Sequence, residues 1–531
     1  MNYNVTFMPA NITVSVPENT TIMDAERIAK LGFEYPCGGN GICNKCDVQI
    51  AVNGKTTVVK SCSTIISSDM IVTLNISENT EKVLTENLNF SCEINSPVSV
   101  LHEMMPNAKA ILFNDEVIDV RKDDFTPLGV AFDIGTTTVA AYLLNLFTGE
   151  QIDTVGSLNN QVKYGSDVIS RCTYVVKNGV EEMQKCILNQ AESMIAELLK
   201  KNNKSPGDVY LVSIVGNTCM QHIFAGLDTT SLVTVPYVPA VKKAITDNAK
   251  KYLKSVNENA RIVILPVIAG FIGADTVAVA LATRFYQKKE ISLLLDIGTN
   301  GEIVLGNSDR WVACSTASGP AFEGAKIVKG MRAASGAIDH AYYENSEFKY
   351  TTIDSSPAVG ICGSGLIDIV KVLLDEGVIL PTGRFNKRYE RSLRDRMTTV
   401  DTETRFNITE DVYITQKDIR EVQLAKGAIA AGIEILTQVL DISYTDIEKV
   451  YIAGAFGNFM KPSSMCGIKL VPPELEEKIV PVGNAAGNGA KLALLSKEEL
   501  KNATFVSEKT EFIELASHKN FQEIFIKNLD F

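Results

Sequence analysis

One phrase, Asp-Ile-Gly-Thr, occurs twice in this chain of 531 residues, at 133–136 and again at 296–299. Each copy stands between two apolar runs, which predicts a buried strand, a tight turn and a returning strand. Glycine lets the backbone approach a ligand closely, and the N–H groups and threonine hydroxyls beside it can donate hydrogen bonds to phosphate oxygens. One copy alone could be an ordinary hairpin turn, but two copies predict a pair of phosphate-binding turns.

The two turns supply candidate residues for binding and hydrolysing a nucleotide. Asp133 and Asp296 end their strands and can hold Mg²⁺ directly or through water, because this cation prefers oxygen ligands. Glu302 could orient a water molecule, or it could lie on a solvated face of its strand. The expected phosphate contacts are Gly135, Thr136 and Thr137 in the first turn and Gly298, Thr299 and Asn300 in the second.

Four cysteines near the start of the chain have the spacing of an iron–sulfur site. They follow the pattern C-x5-C-x2-C, with the fourth cysteine further on, and they are Cys37, Cys43, Cys46 and Cys62. Glycines between the first two cysteines allow a tight loop that brings N–H groups close to the sulfurs. A structural zinc site more often has two C-x2-C pairs, and a thioredoxin-like pair would leave two of the four cysteines unused. The pattern predicts a [2Fe–2S] cluster.

Composition excludes several classes of protein. With 45% hydrophobic and 21% charged residues, the chain is typical of a globular protein. The formal net charge of −12 and the absence of long basic runs argue against nucleic acid or an anionic membrane as a partner. The sequence starts without a signal peptide and contains no apolar run long enough to span a membrane. We therefore expect a cytoplasmic protein.

The duplicated turn resembles the two phosphate loops of the actin/sugar-kinase/Hsp70 superfamily, in which two RNase H-like halves clamp ATP. That resemblance implies a third element, a strand ending in a glycine-rich turn beside the adenosine. Residues 449–458 match it and make Gly454 and Ala455 candidate contacts to the base. The N-terminal segment resembles ferredoxin-fold [2Fe–2S] domains, with one residue more than the plant-type spacing in its first gap.

These resemblances imply a multidomain fold of the α+β and α/β classes. Its parts are an N-terminal β-grasp ferredoxin-like domain, a linker and a duplicated RNase H-like ATPase body. The expected boundaries are 1–78 for the [2Fe–2S] domain, 79–126 for the linker, 127–205 for a first RNase H-like or middle domain, and 206–531 for the C-terminal ATPase domain.

Together with the cysteines, six further segments look like the reductive activators of corrinoid methyltransferase systems. The segments are 215–222, 237–240, 269–275, 315–324, 359–368 and 418–426. The resemblance runs along nearly the whole chain. It implies ATP-dependent reductive activation of a corrinoid protein, with one electron passing from the [2Fe–2S] cluster to Co(II) to give Co(I). The implied cofactors are the cluster, ATP and Mg²⁺.

The same resemblance implies a corrinoid protein as partner and an external low-potential electron donor, and it leaves a homodimer open. Residues 315–323 could face the corrinoid, or they could form a structural turn beside the second phosphate loop. Two other functions stay possible on the sequence alone. The chain could drive electrons to a different low-potential acceptor, or it could be a small-molecule kinase of the superfamily, although a kinase has no use for a cluster.

Overall fold

The computed structural model describes residues 2–29, 31, 46–52, 54–74, 92–105, 108–319, 321–454, 457 and 459–531. Three candidate site residues, Cys37, Cys43 and Ala455, lie outside this described part. Within it, every helix is too short or too polar to cross a lipid bilayer.

The N-terminal domain is a five-stranded mixed sheet with one helix packed on one face. Alternate residues of β1, such as Val5 and Phe7, are buried under the helix residues Ile22 and Ala25. The strand order is β2-β1-β5-β3-β4, with β1 parallel to β5. This arrangement confirms the ferredoxin-like prediction. The elements are β1 (Asn2–Met8), β2 (Ile12–Pro17), α1 (Ile22–Ala29), β3 (Asp47–Val52), β4 (Lys55–Lys60) and β5 (Met70–Thr73).

A three-stranded antiparallel sheet follows, formed by β6 (Val98–Met105), β7 (Ala108–Phe113) and β8 (Glu116–Arg121). Its apolar residues Ile111 and Phe113 join the core of the body. Ahead of it, the Asn95 N–H donates to the carbonyl of Leu495 at 2.8 Å. The prediction of a linker over 79–126 therefore needs correction from Cys92 onward, where the chain packs against the body as folded structure.

The first half of the body is a six-stranded sheet flanked by helices. The strand β12 consists of buried, mostly β-branched or aliphatic residues, as expected of a parallel strand covered on both faces. The strands are β9 (Leu128–Ile134), β10 (Thr138–Asn145), β11 (Gln151–Leu158), β12 (Val209–Gly216), β13 (Ile245–Asn248) and β14 (Arg261–Ile264). The helices are α2 (Val168–Asn178), α3 (Glu181–Lys201), α4 (Thr218–Ala225), α5 (Thr230–Val233) and α6 (Ala274–Thr283).

The second half begins with three antiparallel strands and then receives an insertion of two small sheets and two long helices. The elements in chain order are β15 (Ser292–Ile297), β16 (Gly301–Gly306), β17 (Trp311–Thr316), β18 (Ala337–Glu344), β19 (Glu347–Thr352), β20 (Gly360–Ile361), α7 (Gly363–Asp375), β21 (Met397–Val400), β22 (Glu403–Asn407), β23 (Tyr413–Thr415) and α8 (Gln416–Leu440). The remaining elements return to the main sheet and are β24 (Lys449–Ala453), α9 (Pro462–Gly467), β25 (Ile479–Gly483), α10 (Ala485–Leu495), α11 (Lys497–Lys509), β26 (Glu511–Phe512) and α12 (Phe521–Lys527).

The two halves share one topology. The first sheet runs β11-β10-β9-β12-β14-β13 and the second runs β25-β24-β15-β16-β17-β26. In each, a three-stranded antiparallel meander continues into two parallel strands. This repetition confirms the duplicated RNase H-like body. The expected boundary between residues 205 and 206 falls between α3 and β12, which belong to the same half, so the first half extends beyond it.

Helices α6 and α10 cross between the two sheets, and they cross at unusually close range. A Cβ atom added to Gly489 of α10 would lie 2.2 Å from the carbonyl oxygen of Ala278 in α6. The hydroxyl of Ser213 in β12 donates to the carbonyl of Ala490 at 2.7 Å. Thus α10, which follows the last parallel strand of the second half, packs on the sheet of the first and ties the two halves together.

Candidate functional site

Two of the predicted cluster ligands lie side by side in the N-terminal domain. Cys46 at the start of β3 and Cys62 after β4 are buried, with their sulfurs 3.2 Å apart. The Ser61 N–H donates to the carbonyl of Cys46 at 2.9 Å, and the Met23 N–H of α1 donates to the carbonyl of Ser61 at 3.0 Å. These bonds hold two convergent thiols, as a cluster with four thiolate ligands requires. The other two predicted ligands lie outside the described residues.

The first phosphate loop follows β9, as predicted. Asp133 is the penultimate residue of the strand, and the Gly135 N–H closes the loop by donating to the Thr138 carbonyl at 2.9 Å. The Thr136 hydroxyl accepts a hydrogen bond from Asn217 Nδ2 at 2.9 Å. Asn217 also caps α4 by accepting from the Met220 N–H, so the loop is anchored to the neighbouring parallel strand and its helix.

The second phosphate loop follows β15, as the first follows β9. The Gly298 N–H donates to the Asn300 carbonyl at 2.9 Å. Asp296 stands opposite Glu302 in the antiparallel register of β15 and β16. Glu302 is only 8% exposed and faces the cleft, so the alternative of a solvated strand residue is wrong. Its role in orienting water stays a prediction.

The two loops face each other across an open cleft. Glu323, which follows β17, joins the loops because its carboxylate accepts hydrogen bonds from both the Thr137 and the Thr299 hydroxyls. This places the end of the 315–323 segment beside the second phosphate loop. The cleft is lined by Asp133, Gly135, Thr136, Thr137, Thr138, Asn217, Asp275, Asp296, Ile297, Gly298, Thr299, Asn300, Glu302, Glu323, Gly454, Asn484 and Ala486.

Gly454 closes the third side of the cleft, at the turn after β24. Its φ of +89° lies in the region that favours glycine, and a Cβ atom there would lie 2.7 Å from the Ile297 carbonyl. The turn therefore packs directly against the second phosphate loop. Of the two residues predicted to contact the base, Gly454 reaches the cleft, and Ala455 lies outside the described residues.

Four carboxyl groups lie close to one another in the cleft, and each has a raised pKa. Burial, followed by the negative charge of Asp275, raises the pKa of Asp133 to about 7. Burial, followed by the charges of Asp275 and Asp133, raises the pKa of Asp296 to about 8. Burial also raises the pKa of Asp275 to about 6 and that of Glu302 well above its ordinary value. A cation in the cleft would relieve this repulsion.

The residues present fit Mg²⁺ bound together with a nucleotide. Among the described residues that line the cleft there is no lysine, arginine or histidine to neutralise phosphates. In the described part of the chain, no three acidic, histidine or cysteine side chains converge into a complete metal cage. Mg²⁺ suits such a site, because it usually keeps several waters and takes phosphate oxygens together with one or two carboxylates.

Three residues that line the cleft were not predicted as site residues, and they are Asp275, Asn217 and Asn484. Glu323 was predicted only as part of the 315–323 segment, which could face the corrinoid or form a turn. Asn484 caps α10 by accepting from the Gly487 N–H at 2.8 Å, and its hydrogen bond to Asp133 opposes the rise in that pKa. A signal for the two asparagines existed in the sequence. Each asparagine ends a Val-Gly-Asn phrase, at 215–217 and 482–484, and directly follows a strand.

Fold and site together define a class of protein: an iron–sulfur domain attached to a two-halved nucleotide-binding body. Residues 5–70 match the 2Fe-2S iron–sulfur cluster binding domain. Residues 128–288 match the RACo middle region, and residues 290–531 match the C-terminal domain of RACo, described as the ASKHA domain.

Whole-chain comparisons agree with these domain matches. The corrinoid activation enzyme RamQ of Eubacterium limosum is 31% identical over 98% of this chain and 97% of its own length. A Methanosarcina barkeri protein named [Co(II) methylated amine-specific corrinoid protein] reductase is 26% identical over 76% of this chain and 77% of its own. A solved structure titled reductive activator for corrinoid, iron–sulfur protein is 27% identical, with a TM-score of 0.75 over 99% of this chain and 98% of its own. The chain belongs to the RACo family of reductive activators of corrinoid proteins.

Proposed function

We propose that this chain uses ATP to transfer one electron from its [2Fe–2S] cluster to the Co(II) of a corrinoid protein, giving Co(I). The observation that carries the proposal is the presence, in one chain, of convergent cluster thiols and a nucleotide cleft with two phosphate loops. The match over 98% of the chain to a corrinoid activation enzyme identifies the class of acceptor. The cluster, when bound, supplies the single electron and is reduced again by an external low-potential donor.

Different residues of the cleft contact the metal, the phosphates and the attacking water when ATP binds. Asp133 and Asp296 approach from opposite halves and orient the metal-bound waters. The N–H groups and hydroxyls of Thr136 and Thr299 donate to phosphate oxygens from the two sides. Glu302, beside Asp296, orients the attacking water. Mg²⁺, when bound, neutralises the phosphates, because the described residues that line the cleft include no cationic side chain.

ATP can bias the reaction because the residues that bind it come from both halves of the body. A ligand shifts a conformational equilibrium only when it binds one conformation better than the other. Phosphates held between the loops after β9 and β15 favour a closed cleft, and hydrolysis removes part of that preference. We infer that closure alters the surface presented to the corrinoid protein and so assists an electron transfer that is unfavourable alone.

The eleven cysteines suit the reducing cytoplasm, where we propose the chain works.

The test uses the full chain, purified without oxygen and loaded with its cluster. It is mixed with a Co(II) corrinoid protein and a low-potential reductant, and visible spectra are recorded before and after Mg–ATP is added. We expect Co(I) to appear only with Mg–ATP and only with the intact cluster. ATP hydrolysis without a change at cobalt, across several corrinoid proteins, would contradict the proposal and favour another acceptor or a kinase substrate.

Matched variants show which residues the ATP-dependent formation of Co(I) requires. Asp133→Asn and Asp296→Asn should each abolish the ATP-dependent formation of Co(I), whereas the exposed Asp411→Asn should behave as wild type. Cys62→Ser should abolish Co(I) formation through loss of iron while Mg–ATP binding continues. A simple electron carrier would instead reduce its partner at the full rate in both cleft variants without ATP.

A further inference from the structure

The first phosphate loop is held from behind by a short segment that the ATP site itself does not use. Residues 159–165, which we call the backing segment, follow β11 and contain a 3-10 turn (Asn160–Tyr164). Asn159 Nδ2 donates to the carbonyl of Gly135 at 2.8 Å, and its backbone N–H donates to the carbonyl of Thr137 at 2.8 Å. The backing segment is therefore bonded to the loop at its first residue.

Arg171 of α2 secures the other end of the backing segment to the same loop. Its side chain is fully buried. Nε donates to the carbonyl of Gly165 at 2.8 Å, and Nη2 donates to the carbonyl of Thr136 at 2.5 Å. With the two bonds of Asn159, three successive carbonyls of the phosphate loop are bonded to the backing segment or to its anchor.

The opposite side of the backing segment contacts the iron–sulfur domain. Arg27 of α1 donates from Nη2 to the carbonyl of Lys163 at 2.9 Å. Met23 lies one turn earlier on the same helix, at the spacing that places two side chains on one face. It packs against Cys46 and Cys62. Helix α1 therefore contacts the cluster cysteines at one end and the backing segment at the other.

We propose that the backing segment couples nucleotide occupancy of the cleft to the position of the iron–sulfur domain, with ATP weakening the contact between Arg27 and Lys163. The proposal rests on the proposed function and adds its regulation. The physical reason is the planarity of the peptide unit. When the N–H groups of Thr136 and Thr137 turn toward phosphate oxygens, the carbonyls of the same peptide units turn too. Asn159 and Arg171 must then follow or lose their bonds.

The coupling makes a prediction that a purely static contact does not make. Coupling between two sites is reciprocal, so a contact that ATP weakens must itself weaken ATP binding. Removing the Arg27 side chain should tighten Mg–ATP binding, although Arg27 lies in a different domain from the cleft. The expected change is roughly threefold to tenfold in Kd, at the lower end of known coupling effects.

The experiment measures Mg–ATP affinity by titration calorimetry on the full, cluster-loaded chain. Arg27→Ala is compared with wild type and with Arg388→Ala, which removes an exposed arginine far along the chain in the second half. We expect a lower Kd for Arg27→Ala only. In an Asn159→Ala background, the Arg27→Ala substitution should lower the Kd by less than it does in wild type, because one of the bonds between the loop and the backing segment is already removed. An unchanged or raised Kd in Arg27→Ala overturns the proposal.

Hydrogen exchange gives a second readout that does not depend on electron transfer. Mg–ATP should speed amide exchange in 160–165 and 22–29 of wild type, and the effect should be smaller in Asn159→Ala. Equal exchange in these segments with and without Mg–ATP overturns the proposal. If Mg–ATP still produces Co(I) in wild type under that result, only the coupling fails. If wild type forms no Co(I) with Mg–ATP, the proposed function fails by itself.

Discussion

Thr137 and Thr299, from phosphate loops in opposite halves of the body, donate hydrogen bonds to the two oxygens of one carboxylate, that of Glu323. The distances are 3.0 Å and 2.5 Å. A hydroxyl has a single proton to donate. Neither threonine hydroxyl can therefore donate to a phosphate oxygen while it donates to Glu323. The carboxylate thus competes directly with the nucleotide.

Neutralising Glu323 should strengthen nucleotide binding. Glu323→Gln removes a negative charge from a cleft that must accept phosphates, and Glu323→Ala also frees both hydroxyls. We expect the Kd for Mg–ATP to fall about tenfold, which corresponds to about 1.4 kcal/mol. Titration calorimetry checks this, with the exposed Glu508→Gln as the control. Weaker binding in both Glu323 variants would show that the carboxylate supports ATP and does not compete with it.

Nucleotide binding should depend on Mg²⁺ more strictly than in sites that contain a lysine or arginine. No cationic side chain occurs among the described residues of the cleft, so chelation leaves five carboxyl groups facing the phosphates. We expect chelation to weaken ATP binding by at least about 100-fold, or about 2.7 kcal/mol. Adenosine, which has no phosphate, should bind equally well with and without the metal. ATP affinity that survives chelation would reveal another source of positive charge.

The stability of the metal-free chain should fall as the pH rises toward 8. The pKa values of Asp133 and Asp296, about 7 and about 8, are raised above the ordinary 3.8. Their protonated forms therefore stabilise the fold fully below about pH 4. This contribution is lost as the pH rises through the folded-state values. Thermal unfolding in a chelator should show a steeper loss in wild type than in Asp296→Asn.

The exposed Asp411→Asn serves as the control and should keep the wild-type slope. Mg–ATP should flatten the wild-type curve, because bound cation favours the ionised carboxylates. Parallel curves for wild type and Asp296→Asn would show that the carboxyl group of Asp296 titrates at the same pH in the folded and unfolded chain.

The crossing of α6 and α10 should not tolerate a side chain at Gly489. A Cβ atom there meets the Ala278 carbonyl oxygen at 2.2 Å, and both partners are helix backbone that cannot easily move aside. We expect Gly489→Ala to destabilise the body by about 1–3 kcal/mol, measured by denaturant unfolding. In Gly207→Ala the new atom would have its closest neighbour at 3.5 Å, so this control should unfold like wild type. Equal midpoints for both would contradict the close crossing.

Local patterns predicted the parts of the site that are built from consecutive residues. The two strand–turn–strand units and the buried thiols of Cys46 and Cys62 follow from short stretches of sequence. Helix α8 begins at Gln416 because Thr415 and Asp418 form a reciprocal cap. A threonine followed three residues later by an acidic residue is a start signal of the same local kind.

Residues that reach the nucleotide site from distant parts of the sequence were not predicted as part of it. Asp275 enters the cleft because α6 begins there, and Arg171 lies behind a loop 35 positions earlier in the chain. Glu323 bridges to Thr137 across 186 positions. Asp275 and Glu323 lie in the segments 269–275 and 315–324, but a single sequence does not reveal which loops return to one place. Tertiary packing alone brings them together.

The repeated topology gives the two connections after the third strand of each half equivalent positions, and the protein has made them unlike. After β11 the connection is the backing segment, which lies behind one phosphate loop and receives Arg27 from outside the body. After β17 the connection turns inward and inserts Glu323 between both loops. The same topological position therefore holds a segment that contacts the iron–sulfur domain in one half and a segment that enters the nucleotide cleft in the other. Two halves of the same topology thus provide the asymmetry that links the nucleotide site to the iron–sulfur domain.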